Sequence, residues 1–355
     1  MEITLLSLAL LVVVATALPL IRHDGWWIRI FDFPRLQILA TGLLVLASSL
    51  ILANPGHLWE GIVLAGLALA LVFQGYQIYF YTPLAPKQVR STSHTTGTSS
   101  FSLMVANVLM ENRDSVRFLA IVRDARPDLL LALEPDVWWE ESLRVLEKDY
   151  PYTVKEPLAN RYGMLLYSKL ELVDPRIKTL VKRGIPSIHT EVRLGSGDLI
   201  RLHCVHPEPP SPTEADTSTK RDAELLIVGK EVKGAEQPVI VTGDLNDVAW
   251  SHTTALFQKT SGLLDPRIGR GMFNSFNAKN PLMRWPLDHV FHSEDFLLVG
   301  IARLPAFGSD HFPIQVTLSL EPRGKRLQQT PDALDAEERQ QVEEKVDKVE
   351  RRHHL

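Results

Sequence analysis

The chain has 355 residues, with 38 Lys+Arg against 42 Asp+Glu and a formal charge of -4 at pH 7. No overall basic excess marks it as a coat for nucleic acid, and a 45% hydrophobic content excludes disorder for most of its length. The single cysteine, Cys204, excludes an intramolecular disulfide framework and any multi-cysteine zinc or iron–sulfur centre.

Residues 1–84 carry three apolar runs: Ile3 to Ile21, Leu36 to Ala53 and Ile62 to Tyr81. Each is free of Asp, Glu, Lys and Arg and has the length that crosses a hydrocarbon core of about 30 Å. Three transmembrane helices are therefore expected. The first connection holds Arg22, Arg29 and Arg35, whereas the second, Asn54 to Gly61, holds no Lys or Arg. Positive charge stays inside, so the first loop and everything after the third span are expected in the cytoplasm. The chain then reads as an integral protein of the inner or plasma membrane with its soluble domain facing the cytoplasm; an extracytoplasmic orientation is the alternative. Intramembrane ionisable residues that mark an ion path are missing, which favours an anchor over a transporter. Gln74 reads as a helix-to-helix hydrogen bond.

Residues 85–100 combine Lys87, Arg90 and a Ser/Thr/Gly-rich stretch and read as a flexible linker. Short β-rich runs follow over 101–320: Phe101 to Val105, Leu129 to Leu133, Gly163 to Tyr167, Ile188 to Arg193, Ile200 to Val205, Val239 to Thr242, His289 to Phe291 and Ile314 to Leu318. Helical stretches fit at Ser115 to Ala125 and Arg221 to Lys233. Only some strands are joined through helices, which predicts a mixed-sheet α/β sandwich. Residues 321–355 form a charged tail, helical or disordered, with 8 Lys+Arg and 9 Asp+Glu. Its apolar face is limited to Val342, Val346 and Val349.

Polar residues stand directly at the predicted strand ends: Asn107, Glu134, His206, and Asp244 with Asn246. Two further clusters contain Asp288 and Asp310-His311. Carboxylate and amide oxygens are hard ligands suited to Mg²⁺ or Mn²⁺, and an imidazole beside a carboxylate can move a proton or meet a phosphate as a cation. The set is equipment for metal-assisted phosphoryl hydrolysis. Each residue alone has an ordinary reading as a turn, cap or solvated strand end; as an ordered set they point to a site.

Asn107 in Met104-Val105-Ala106-Asn107-Val108, Glu134 in Leu131-Ala132-Leu133-Glu134-Pro135, Gly243-Asp244-Leu245-Asn246, the Asp288 segment and Ser309-Asp310-His311-Phe312-Pro313 stand in one order. In that order the chain resembles the endonuclease/exonuclease/phosphatase family, of DNase I-like fold, over about Phe101 to Leu320. The resemblance implies an α/β (α+β) four-layer sandwich of two mixed β-sheets flanked by helices, here preceded by the three membrane helices. It implies Glu134 as principal metal carboxylate, with Asn107 and Asp310 completing or supporting the metal site. Asp244 would orient the attacking water, Asn246 would hydrogen-bond the phosphoryl oxygens, and Asp288 would fix the tautomer of His311. His206 would contact the scissile phosphate, with His203 a nearby rival, and Arg161 is a candidate phosphate binder. Cys204-Val205-His206 departs from the Asn-Thr-His common in the family.

The soluble region 101–320 has 25 Lys+Arg against 29 Asp+Glu. This favours a compact phosphate ester over long duplex DNA, because phosphate-tracking proteins need basic surface. Membrane tethering concentrates the domain on lipid. The expected activity is a membrane-anchored, Mg²⁺-dependent phosphoesterase, a phosphodiesterase before a monoesterase. Its substrate is a phospholipid or phosphoinositide-like headgroup, with nucleic acid the rival. A catalytically silent binding module of the same fold is the alternative. No obligate protein partner is implied.

Overall fold

Three apolar helices open the chain: α1 (Ile3–Ala17), then after the one-turn α2 (Trp26–Arg29), α3 (Arg35–Leu52) and α4 (Leu58–Tyr79). The computed structural model describes residues 3–52, 57–93 and 97–353. Positions 53–56, between α3 and α4, and 94–96 of the linker lie outside the described residues. The helices, long and apolar enough to cross a membrane, pack through Ala9, Val12, Val45, Leu67 and Leu71. They turn Leu44, Leu50, Leu69 and Val72 outward. A bundle that exposes leucine on its outside presents a surface suited to lipid, not water.

Gln74 links all three helices. Its Nε2 donates to Thr16 Oγ1 at 3.0 Å, and its Oε1 accepts from Arg35 Nη1 at 3.3 Å. Arg35, at the start of α3, also donates to Asp32 at 2.8 Å and is buried. The spans therefore carry ionisable groups at their ends, Glu60 among them, though none at mid-span.

The remaining chain forms β1 (Ser100–Asn107), α5 (Ser115–Ala125), β2 (Leu129–Leu133), α6 (Val137–Leu143), β3 (Tyr152–Glu156), β4 (Met164–Ser168), β5 (Glu171–Lys178), β6 (Ser187–Arg193), β7 (Leu199–Cys204), α7 (Thr219–Val232), β8 (Val239–Asp244), α8 (His252–Ser261), β9 (Asp288–His292), β10 (Phe296–Arg303), β11 (Ile314–Leu320) and α9 (Ala336–His353). One sheet runs β10-β11-β1-β2-β4-β3, the other β5-β6-β7-β8-β9. Each holds one parallel pair, β1 with β2 across α5 and β7 with β8 across α7. Every other pairing is antiparallel.

Period-2 alternation builds the layers. Leu103, Val105, Leu129, Leu131 and Leu133 point into the core between the sheets, facing Ile200, Leu202 and Ile240. Their neighbours Met104, Ala106, Leu130 and Ala132 point the other way, under α5 and α6 with Phe118 and Trp139. Val239 and Val241 likewise meet α7 and α8 through Leu225, Val228 and Phe257. The result is the expected four-layer, DNase I-like sandwich of two mixed sheets flanked by helices.

The linker departs from a free tether. Val89 is fully buried in the core between the sheets, and Gln88 Oε1 accepts from Asp265 N at 2.7 Å. Thr92 N donates to Leu298 O, and Leu298 N to Arg90 O, both at 2.9 Å. The reason is the open edge of β10, whose unpaired backbone groups take up the segment as a short extra strand. The tail is helical, and α9 lays Val342 and Val346 on Leu226 and Leu256 of α7 and α8.

The N-terminal helices and the sandwich meet. Trp250 Nε1 donates to the Asp32 carbonyl at 2.7 Å, Tyr81 Oη to the Ala249 carbonyl at 2.6 Å, and Trp26 N to the Asp216 carbonyl at 3.0 Å. The connection between α1 and α3 thus packs against the sandwich.

Candidate active site

The parallel pairs bring their C-terminal ends to one end of the sandwich, and the polar residues follow. Asn107 ends β1, Glu134 follows β2, Asp244 ends β8 and pairs in register with Asp288 at the start of β9. His206 lies just beyond β7, and Asp310-His311 just before β11. Two glycines permit this crowding. A Cβ on Gly243, whose φ is +146°, would lie 1.9 Å from the Val205 carbonyl oxygen, and one on Gly163 would lie 2.0 Å from that of Pro135. Glu134 and Asn246 take left-handed backbone, with φ of 61° and 52°. Such conformations concentrate at functional sites, where the surrounding structure holds them.

Asn107 is the hub. Its Nδ2 donates to Glu134 Oε1 at 2.7 Å and to Asp244 Oδ2 at 3.1 Å, while its Oδ1 accepts from Leu109 N at 3.0 Å. The amide nitrogen, not the oxygen, thus faces the carboxylates. Glu134 Oε2 is buried without a hydrogen-bond partner, a costly state for a carboxylate oxygen. Burial, with Asp244 and Asp310 nearby, pushes the Glu134 carboxyl up to about 7 despite the Asn107 hydrogen bond and His311. An unpaired, crowded carboxylate oxygen fits a divalent cation. Glu134, with half-buried Asp310 beside it, offers carboxylate oxygens of the hard kind that Mg²⁺ or Mn²⁺ takes, while Asn107 supports Glu134 through its Nδ2 and not as an oxygen donor.

His311 bridges two carboxylates. Its Nδ1 is 2.8 Å from Asp288 Oδ2 and its Nε2 3.5 Å from Asp244 Oδ2. Burial alone lowers its pKa, but Asp288 and Asp244 overcome that and hold it up at about 10. Asp244, Asp288 and His311 lie close enough together to hold an ion, yet both ring nitrogens are already aimed at carboxylates, which is the geometry of an imidazolium. Asp244 Oδ1 accepts from Asn246 N at 3.0 Å, and Asn246 Nδ2 donates to the Pro207 carbonyl at 3.0 Å.

His206, buried, lies 3.9 Å from Asp244 through Nε2, and its Nδ1 has no partner. His203 instead faces away into a pair with His189. Arg161 is exposed and bound through Nε to Glu111 at 2.9 Å. Residues to which the sequence assigns no role at the site complete the surroundings. Tyr162 lies with its ring 5.4 Å from that of His206. Ser309 Oγ donates to the Asn107 carbonyl at 2.7 Å and accepts from His311 N at 3.0 Å. Arg221 donates to the Asn246 carbonyl at 2.9 Å. Arg221 gave no signal because it sits at the start of an ordinary-looking helix, whereas Ser309 lies inside a motif already singled out.

A family model described as the Endonuclease/Exonuclease/phosphatase family matches residues 104–311. No curated protein matches. Among solved structures, an endonuclease/exonuclease/phosphatase from Beutenbergia cavernae is similar at 18% identity, covering 63% of this chain and 72% of its own, with a TM-score of 0.52. A humanized D. rerio TDP2 is similar at 16% identity, covering 62% and 99%, with a TM-score of 0.52. The human Nocturnin catalytic domain, with a bound sulfate, is similar at 17% identity over 62% and 93%, with a TM-score of 0.51. These similarities show the fold, and the family model spans more than half of the chain. With Asn107, Glu134, Asp244, Asp288 and His311 gathered at one end of a two-sheet sandwich, the chain belongs to the endonuclease/exonuclease/phosphatase family.

Proposed function

We propose that the protein is a membrane-anchored, divalent-metal-dependent phosphodiesterase. The observation that carries this reading is the Asn107 amide joined to both Glu134 and Asp244, with His311 held between Asp244 and Asp288. The sulfate in Nocturnin and the single-strand DNA product bound to a D. rerio TDP2 of 17% identity support a phosphate-ester substrate.

In this reading Glu134 and Asp310 would hold the cation with Asn107 in support, and the ion would supply charge relief on the phosphoryl oxygens. Asp244 orients the attacking water and takes one of its protons. The water oxygen bonds to phosphorus, the ester P–O bond breaks, and that proton is returned to the leaving oxygen. One phosphomonoester and one alcohol result. His311, cationic beside Asp288, stabilises the charged phosphoryl group, and Asn246 and His206 orient it. Arg161 reaches substrate only by leaving Glu111.

The same reading sets the domain in the cytoplasm. Arg22, Arg29 and Arg35 lie in the loop that meets the sandwich, and positive loops stay inside. The test is hydrolysis of phosphodiesters by the full chain in detergent with Mg²⁺, alongside reporter fusions after residue 355. Cleavage abolished by chelator and a cytoplasmic reporter signal are expected. A folded, metal-binding protein without turnover would favour the silent module, and an external signal would reverse the orientation.

A further inference from the structure

Residues 276–285 form an excursion with two different ends. At its base Phe276 N donates to the Trp285 carbonyl at 3.0 Å. The Phe276 ring lies 5.0 Å from that of His311, and Ala278 N donates to the Asp310 carbonyl at 2.7 Å. The base is therefore a wall of the candidate active site. At its tip Gln37, in the first turn of α3, donates through Nε2 to the Leu282 carbonyl at 2.7 Å. Phe33 meets Trp285 edge-on at 5.6 Å.

The tip is built unlike a solvated loop. Leu282 is 79% exposed and Met283 40%, beside the first turn of an apolar helix that itself exposes Leu36. Lys279 and Arg284 flank them, and no Asp or Glu occurs between Phe276 and Leu287. Apolar side chains at the level of a span's end, with cationic shoulders, match an anionic lipid interface. Leu282 stands four positions on from Ala278, a reach of at most about 14 Å. The candidate site therefore stands within about that reach of the first turn of α3.

We propose that the 276–285 excursion sits in the headgroup layer of the bilayer that holds α1, α3 and α4, and presents the phosphodiester of a membrane lipid to the His311 cluster. The proposal rests on the phosphodiesterase reading above and names its substrate class: a lipid of the same leaflet, not nucleic acid.

The test uses the full chain in vesicles of phosphatidylethanolamine and phosphatidylglycerol with Mg²⁺. Hydrolysis of radiolabelled vesicle phospholipids is measured beside that of soluble bis(p-nitrophenyl) phosphate. The double variant Leu282→Asp, Met283→Asp is expected to lose at least tenfold on the lipid while staying within twofold on the soluble diester. Equal loss on both, no loss on either, or faster cleavage of single-stranded DNA than of any lipid overturns the proposal. Wild-type turnover of the soluble diester without lipid hydrolysis overturns it and leaves the phosphodiesterase reading standing, whereas no turnover of anything removes both. Independently of activity, a fluorophore on Leu282→Cys, selective because Cys204 is buried, is expected to be quenched by lipids brominated near the carbonyl. An unquenched label overturns the placement.

Discussion

Nδ1 of His311 lies 2.8 Å from Oδ2 of Asp288, and that contact holds a buried imidazole in its charged form. Asp288→Asn keeps the shape and removes the larger of the charges that oppose burial, so the ring is held protonated less firmly, chiefly by Asp244. The expected result is a fall in kcat of roughly 10²- to 10⁴-fold, the usual share of an oriented acid–base or charge-stabilising group, with KM changed much less. A kcat within threefold of wild type would remove the pair from the mechanism.

Glu134 links pH to metal. Its carboxyl stands at about 7 without an ion, above the ordinary value near 4.3, so the protonated form accumulates as pH falls through 7. Proton and cation compete for the same oxygens. The Mg²⁺ concentration for half-maximal activity is therefore expected to rise about tenfold from pH 8 to pH 6, as expected for a group titrating near 7. In Glu134→Gln the tight metal response should vanish with activity. A half-saturation independent of pH would show that Glu134 is not the ligand.

The sandwich was readable where both faces of a strand are buried. Leu129-Leu130-Leu131-Ala132-Leu133 announces a central strand, and β2 has those bounds. The strands that escaped, β3, β5 and β10, stand at sheet edges. Edge strands carry polar and kinked sequence, as Asp174-Pro175 does within β5, because a flat apolar edge would invite aggregation. The candidate site was legible as a cluster because its residues fall at strand ends in order. What stayed hidden needed the third dimension: Arg221 under Asn246, Tyr162 beside His206, and the backbone pairing of Arg90 and Thr92 with Leu298, to which side-chain patterns are blind.

The His189–His203 pair makes stability pH-dependent. The two Nδ1 atoms are 2.7 Å apart, so one donates and the other accepts, and the contact leaves no room for a proton on both. Lys178 and Glu231 face them. Burial, then the charge of the neighbouring His203, lowers His189 to about 3, and burial lowers His203 to about 4. Unfolded, both titrate near 6.5. The unfolded chain thus binds more protons below that value, and this share of stability is intact above pH 6.5 and lost as pH falls towards 4. Each histidine adds a slope of up to about 1.4 kcal/mol per pH unit. The double variant His189→Gln, His203→Gln is expected to lose less Tm between pH 7 and pH 5 than wild type, and parallel curves would refute the assignment.

Arg221 joins stability to the site. It is 2% exposed, with Nη2 at 2.8 Å from Asp222 and 3.2 Å from Asp247, while Nη1 donates to the Asn246 carbonyl at 2.9 Å. Burial opposes its charge, but Asp247 and Asp222 overcome that and hold the guanidinium charged. Arg221→Met leaves both carboxylates short of a partner, a loss of about 3–5 kcal/mol or roughly 10 °C in Tm for a domain of this size. Arg221→Lys keeps the charge but cannot span two carboxylates and a carbonyl at once. Because Asn246 sits in left-handed backbone under that carbonyl contact, the lysine variant is expected to keep most of its Tm and lose roughly tenfold in kcat. A purely structural Arg221 would instead lower Tm in both variants and leave the kcat of the folded lysine protein unchanged.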